Sequence, residues 1–137
     1  MKLNKINHVA IIVSNYKKSK EFYVNILGFE VIRESYRENR ESYKLDLRIS
    51  DSTIELFSFK NPQKRVTNPE ACGLRHIAFE VNDIDEAISY LKDNNIEVEP
   101  IRTDEFTDKR FTFFKDPDNL PIELYENKES TNEYIFL

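Results

Sequence analysis

A single cysteine, Cys72, occurs among the 137 residues, so no disulfide can form within the chain. Glycine is almost as scarce: Gly28 and Gly73 are the only two, too few for a glycine-rich loop that cradles phosphate. Positive charge is not in excess, with 20 Lys and Arg against 25 Asp and Glu and a formal net charge of -5, which tells against nucleic acid or an anionic membrane as a partner. No apolar run is long enough to span a bilayer, and the opening stretch MKLNKINHVA lacks the apolar core of an export signal. The expectation is a cytoplasmic protein. Hydrophobic residues make up 39%, enough for one compact domain with a real core or for two small modules packed together.

Histidine is equally rare, and its two occurrences expose a repeat. Glu55, in TIELF, lies 47 residues after His8, and Glu123, in PIELY, lies 47 residues after His76, an offset of 68 for both members of the pair. The flanking segments NHVAIIVSN and RHIAFEVND share one pattern of polar, His, branched aliphatic, Ala, apolar, variable and Val. An internal duplication carrying one His and one Glu per copy follows.

Each copy reads as βαβββ, an α+β arrangement. In the first, a strand over 6 to 13 precedes a helix capped by Asn15, with Ser19, Phe22, Tyr23 and Ile26 along one stripe and Gly28 at its left-handed end. Strands near 29 to 36, 43 to 50 and 53 to 59 complete it, separated by polar clusters such as RENRES. In the second, a strand over 74 to 81 leads to a helix over 84 to 93, with Asp83 and Glu86 set as a capping box and Ile84, Ala87, Ile88 and Leu91 on one face. Strands near 96 to 101, 110 to 115 and 121 to 125 follow, the last after the turn DPDN. Module one therefore spans about 5 to 60, a linker about 61 to 73, module two about 74 to 126, and a tail about 127 to 137 whose Tyr134, Ile135 and Phe136 are expected to dock.

Strand alternation assigns the faces. Ile54 and Leu56 should meet the helix, which sends Glu55 to the opposite, concave side of the sheet, and the same alternation sends Glu123, His8 and His76 there too. If the modules face each other across a pseudo-twofold axis, two imidazoles and two carboxylates converge. Carboxylates in such a place need compensation, because desolvation disfavours their charge. One divalent metal ion compensates all four groups at once, and mixed nitrogen and oxygen ligation suits Zn, Ni, Co, Fe or Mn. A lone strand histidine beside a carboxylate is more often a structural hydrogen-bonded pair. The repetition of one spacing with both histidines of the chain favours the metal.

Lys44, Asp46 and Arg48 alternate with Leu45, Leu47 and Ile49. That charged face either lines the pocket or belongs to a solvated edge strand. Arg37 and Arg110 are further candidates to hold an anionic substrate, although each also reads as a surface charge. Cys72 has no His and Asp partner pattern for nucleophilic work.

From Lys5 to Glu126 the chain resembles the vicinal oxygen chelate (glyoxalase/bleomycin resistance/dioxygenase) superfamily. The segments NHVAIIV, FYVNILGF, GLRHIAFEV and DPDNLPIELYE carry that likeness, and ESYKLDL, IELFSF, PEACGLRH and KRFTFFKDPD look like YaeR-like glyoxalase I-related metalloproteins. The resemblance implies a curved mixed-sheet cup, a homodimer, and a metal on His8, Glu55, His76 and Glu123 with open positions for two substrate oxygens. It also implies a lyase or isomerase acting on a small oxygenated carbonyl compound through a metal-stabilised enediolate, with Glu123 matching the proton-moving base. Glyoxalases that use glutathione carry Arg and Asn where this chain has Ile12 and Phe59, so the substrate need not be a glutathione adduct. Asn119 stands where the family usually has Gly in the last turn. Glu55 as a fourth ligand tells against extradiol dioxygenase and fosfomycin-type transferase chemistry. A small-molecule binding or resistance protein and an acyl-CoA epimerase remain as alternatives.

Overall fold

The computed structural model describes residues 1–128, which fall into two compact units, Met1–Arg65 and a second that begins at Val66. The expected docking of Tyr134, Ile135 and Phe136 lies outside the described residues.

In the first unit the strands β1 (His8–Val13), β2 (Glu30–Arg37), β3 (Ser42–Ile49) and β4 (Ser52–Ser58) form one sheet in the order β1-β4-β3-β2. β1 and β4 run parallel, and the other neighbours are antiparallel. Ile11, Val13, Leu45, Leu47, Ile54 and Leu56 are all buried, as expected for the side of a sheet that a helix covers. The covering helix begins as α1 (Tyr16–Lys20), with the Asn15 side chain accepting the Lys18 N–H at 3.0 Å. It then widens into a π-helical stretch, Glu21–Ile26, closed by the Leu27 N–H donating to the Phe22 carbonyl at 2.9 Å. Sequence periodicity assumed a uniform α-helix, whereas the wider turn brings the adjacent Phe22 and Tyr23 into the core together. Gly28, at φ +78°, ends the helix in the left-handed conformation. Tyr16 stacks on Tyr43 with ring centroids 4.2 Å apart, and its hydroxyl donates to Glu34, which also accepts from Lys20 at 2.8 Å.

The second unit repeats the plan with β5 (Ile77–Val81), β6 (Arg102–Thr103), β7 (Arg110–Lys115) and β8 (Pro121–Glu126) in the order β5-β8-β7-β6. Its helix, α2 (Ile84–Asp93), starts where the Asp83 carboxylate accepts the Glu86 N–H at 3.0 Å, and it buries Ile84 and Leu91. The strand expected over 96 to 101 is not there: β6 has only two residues and lies beyond it. Pro100 supplies no N–H to a ladder, and the segment keeps only isolated links to β7, the Glu99 N–H to the Phe113 carbonyl at 3.0 Å and the Thr112 hydroxyl to the Glu99 carbonyl at 2.6 Å. In the turn before β8, Asn119 adopts φ +67°, so it supplies the left-handed residue that Gly usually supplies there. Buried Asp116 fixes that turn by accepting the N–H groups of Asp118 and Leu120 at 2.8 and 2.9 Å.

Candidate metal centre

Parallel pairing brings each histidine beside its glutamate. Ala10 is the register partner of Glu55, and His8 stands two residues earlier on the same face; Ala78 is the partner of Glu123, and His76 stands two residues before it. His8 Nδ1 lies 3.7 Å from Glu55 Oε2, and His76 Nε2 lies 3.2 Å from Glu123 Oε1. Among the described residues no three His, Cys, Asp or Glu side chains come together as a metal cluster, so each unit presents a pair. The chemistry of each pair fits a divalent ion of intermediate softness, one imidazole nitrogen and one carboxylate, with His8 on β1 and His76 just before β5, which starts at Ile77 rather than at 74 as expected.

Their surroundings differ. In the first pair the His8 side chain is 45% exposed and its Nδ1 also meets the Asn7 side-chain oxygen at 2.9 Å. Directly across from Glu55 on β3 is Asp46, only 4% exposed. Lys44 Nζ reaches Asp46 Oδ1 at 3.2 Å and Glu55 Oε1 at 3.7 Å, and Arg33 Nε reaches Asp46 Oδ2 at 3.3 Å. The solvated-edge reading of this charged row is therefore wrong: β3 is an inner strand between β2 and β4, and only Arg48 of the three is exposed. Sequence alternation cannot separate an edge from an inner strand, since both have a polar face.

In the second pair His76 is 26% exposed and stands edge-on to Phe113, with ring centroids 5.1 Å apart. Phe113 is the register partner of Glu123 and Phe111 that of Tyr125, so the carboxylate sits in an aromatic row. Arg102 caps it, its guanidinium 5.1 Å from the Phe111 centroid and 5.4 Å from that of Phe113. Tyr125 donates to Asp104 at 2.9 Å and bonds Thr107, which ties the turn before β7 to β8. The Phe106 N–H, the Tyr125 hydroxyl and Thr107 hold the Asp104 carboxyl below the usual carboxylate range. Sequence reasoning missed Arg102, Phe111 and Phe113. The offset of 68 would match Asp46 to Phe114, whereas sheet register matches it to Phe113, because one residue has shifted between the copies. Comparing registers rather than spacings was the signal that could have found them.

Two expected substrate groups part company. Arg37 is on the Glu55 face of its sheet, donating to Ser42 Oγ at 3.1 Å with its guanidinium 5.1 Å from the Phe57 centroid. Arg110 is not on the Glu123 face. It sits across the ladder from Glu126 on the helix side, donates Nε and Nη2 to that carboxylate at 2.9 Å each, and reaches Asp85 of α2 at 3.1 Å. Glu126 is 1% exposed, so this is a structural bidentate pair, and its carboxylate holds the Arg110 guanidinium firmly protonated. Strand parity decides the matter, since Arg110 is three residues from Phe113 and so faces the other way. Ile12 is exposed on the histidine face of β1, and Phe59, just past β4, stacks with Phe57, so both positions are apolar. Cys72 is exposed.

A family model described as Glyoxalase/Bleomycin resistance protein/Dioxygenase superfamily matches residues 5–124. The uncharacterized protein YwkD of Bacillus subtilis (strain 168) is 61% identical, over 92% of this chain and 99% of its own length. The uncharacterized protein YaeR of Escherichia coli (strain K12) is 54% identical, over 90% and 97%. Metallothiol transferase FosB of Staphylococcus haemolyticus (strain JCSC1435) is 31% identical, over 88% and 81%. Among solved structures, SMU.1112c superposes with a TM-score of 0.89 at 50% identity, covering 91% of this chain and all of the other. A glyoxalase family protein from Enterococcus faecalis gives 0.86 at 49%, covering 92% and 100%. A Glu-to-Gln variant of the fosfomycin resistance protein FosX from Listeria monocytogenes, complexed with Mn(II) and 1S,2S-dihydroxypropylphosphonic acid, gives 0.71 at 25%, covering 99% and 100%.

Proposed function

Because the chain belongs to the glyoxalase/bleomycin resistance protein/dioxygenase superfamily, we propose that it is a metal-dependent enzyme, a glyoxalase I-like lyase or isomerase that acts on a small oxygenated carbonyl compound. The observation that carries this reading is the repeated pair, an imidazole and a carboxylate brought together by a parallel strand pair in each unit, His8 on its strand and His76 immediately before it. His8, Glu55, His76 and Glu123 would hold one divalent ion, of which Zn, Ni, Co, Fe and Mn all suit the donors. FosX with Mn(II) supports a divalent ion. When bound, the ion supplies stabilisation of negative charge on a substrate oxygen.

The two carboxylates have different work. Glu55 shares its charge with Lys44 as well as His8, whereas Glu123 has, among the described residues, no ion-pair partner but His76. Glu123 is the carboxylate free to take and return a proton at its oxygen. Phe113 lies directly across the ladder from it, with Phe111 next along the same face. Ile12 and Phe59 offer neither charge nor amide to glutathione, so turnover of the methylglyoxal and glutathione hemithioacetal should be weak. A second copy of the chain as partner belongs to the same proposal and is checked by sedimentation equilibrium.

Metal analysis of the purified, reconstituted protein by plasma emission is the decisive test. About one transition-metal ion per set of four donors, lost when His76 is replaced by Ala, is the expected result. Negligible metal, or metal that survives loss of both histidines, overturns the proposal. A second reading, thiol transfer to a small drug, is supported by the 31% identity to the metallothiol transferase FosB and by the likeness to the fosfomycin resistance protein FosX. Metal-dependent consumption of fosfomycin, followed with and without an added low-molecular-weight thiol, favours that reading over the first.

A further inference from the structure

We infer that Arg37, with Lys44 beside it, forms an anion-binding subsite of the same centre, and that the substrate is a small acid whose carboxylate or phosphonate docks there. This inference rests on the proposed metal-dependent reading and deepens it. The sheet face of Glu55 carries four cations, and their partners can be counted. Arg33 pairs with Asp46, Lys44 with Asp46 and Glu55, and Arg48 with Glu30 at 3.7 Å. Among the described residues Arg37 alone of the four has no carboxylate partner, and its hydrogen bond goes to the neutral Ser42 hydroxyl. Its Nε is buried and, among the described residues, without a hydrogen-bond partner. An arginine that has no carboxylate keeps guanidinium N–H groups to offer, and an oxyanion is the group that suits them best.

Phe57 places this donor. The ring lies 5.1 Å from the Arg37 guanidinium carbon and 5.9 Å from Lys44 Nζ, so it holds both cations over one platform. Phe57 and Glu55 project from the same face of β4 two residues apart, which along a strand is about 7 Å. A small molecule held at Glu55 that extends by that distance along β4 reaches the Phe57 ring, over which the Arg37 guanidinium lies. Lys44 links the two ends. Once Glu55 gives its charge to a divalent ion, Lys44 loses a partner, and the face becomes more positive next to Arg37.

The test compares probes that differ only at the distal group: succinate, succinamate and 3-phosphonopropionate, titrated calorimetrically into the metal-reconstituted protein. The wild-type chain should prefer both dianions to succinamate by about tenfold or more. Arg37→Gln should erase that preference, and Arg37→Lys should restore part of it. Lys44→Gln should reduce the preference severalfold. The tighter of the two dianions identifies the anion as carboxylate or phosphonate. Without any variant, succinate and not succinamate should shift the Arg37 Nε–H signal in nitrogen-15 spectra. A wild-type protein indifferent to the distal charge, or discrimination undiminished in a folded Arg37→Gln, overturns the subsite. Metal content is measured on each sample, so discrimination that persists in a protein that takes up no metal would refute the metal reading and leave the subsite standing.

Discussion

The two units share one scaffold and set it in opposite company. Each has a parallel strand pair that presents a histidine beside a glutamate, yet Glu55 has Asp46 across the ladder where Glu123 has Phe113. The first pair is bordered by an ionic network of Arg33, Lys44 and Asp46, the second by rings. Donor geometry depends on the register of the parallel strands, which both copies keep, with Ala10 beside Glu55 and Ala78 beside Glu123. Chemistry depends on the neighbours, which are free to diverge because each needs only to suit its own side of the sheet. The difference points to a division of labour, with the ionic side suited to charge and the aromatic side to proton transfer.

The sharpest way to break this contrast is at the glutamates. Glu123→Gln should cut solvent hydrogen exchange into substrate by about 100-fold or more while keeping appreciable metal, because an amide oxygen can still ligate but is a poor base. Glu55→Gln should mainly weaken metal binding. Equal loss of exchange in both at full metal occupancy would mean that the carboxylates share the proton work. At the histidines, His76→Ala should lower metal affinity more than His8→Ala, with about a tenfold gap between them, because His76 is the closer to its carboxylate and the less exposed. Competition against a chelating dye reads both, and the reverse order would remove the asymmetry.

Stability should follow the ionic and aromatic environments too. Replacing Asp46 alone with Phe leaves half-buried Lys44 with Glu55 as its one remaining carboxylate and should cost about 1 to 2 kcal/mol in urea denaturation, whereas changing Lys44 and Asp46 together to the Phe residues of the second unit should cost less than the two single changes combined. Additive losses would show that the ionic row is not a coupled unit. Arg110→Met, which leaves Glu126 buried without its partner, should cost about 3 kcal/mol with little effect on metal content. A large loss of metal there would return Arg110 to the site.

The smallest effect is on pH. Hydrogen bonds from Lys20 and then Tyr16 hold the Glu34 carboxyl below its ordinary value of 4.5. A depressed carboxyl contributes stability that is fully present above its unfolded value and fades as pH falls through the folded one. Glu34→Gln should therefore flatten the loss of stability below about pH 4.5, and only slightly, because the pair is exposed to solvent. An unchanged acid limb would show that this link between α1 and β2 contributes nothing.

Much of the centre was legible because its signals are local. Period-two alternation sorts Ile54 and Leu56 from Glu55, Asn15 and Asp83 announce the helix starts, and the repeated 47-residue spacing singles out the two His and Glu pairs. Tertiary structure decided what depends on neighbours distant in sequence. It made β3 an inner strand and buried Asp46, turned Arg110 toward Glu126 and α2, and set Phe113 rather than Phe114 across from Glu123. The physical reason is the same in each case: alternation tells which side chains share a face of a strand, but only strand order and register tell what lies opposite, and a one-residue shift exchanges every neighbour.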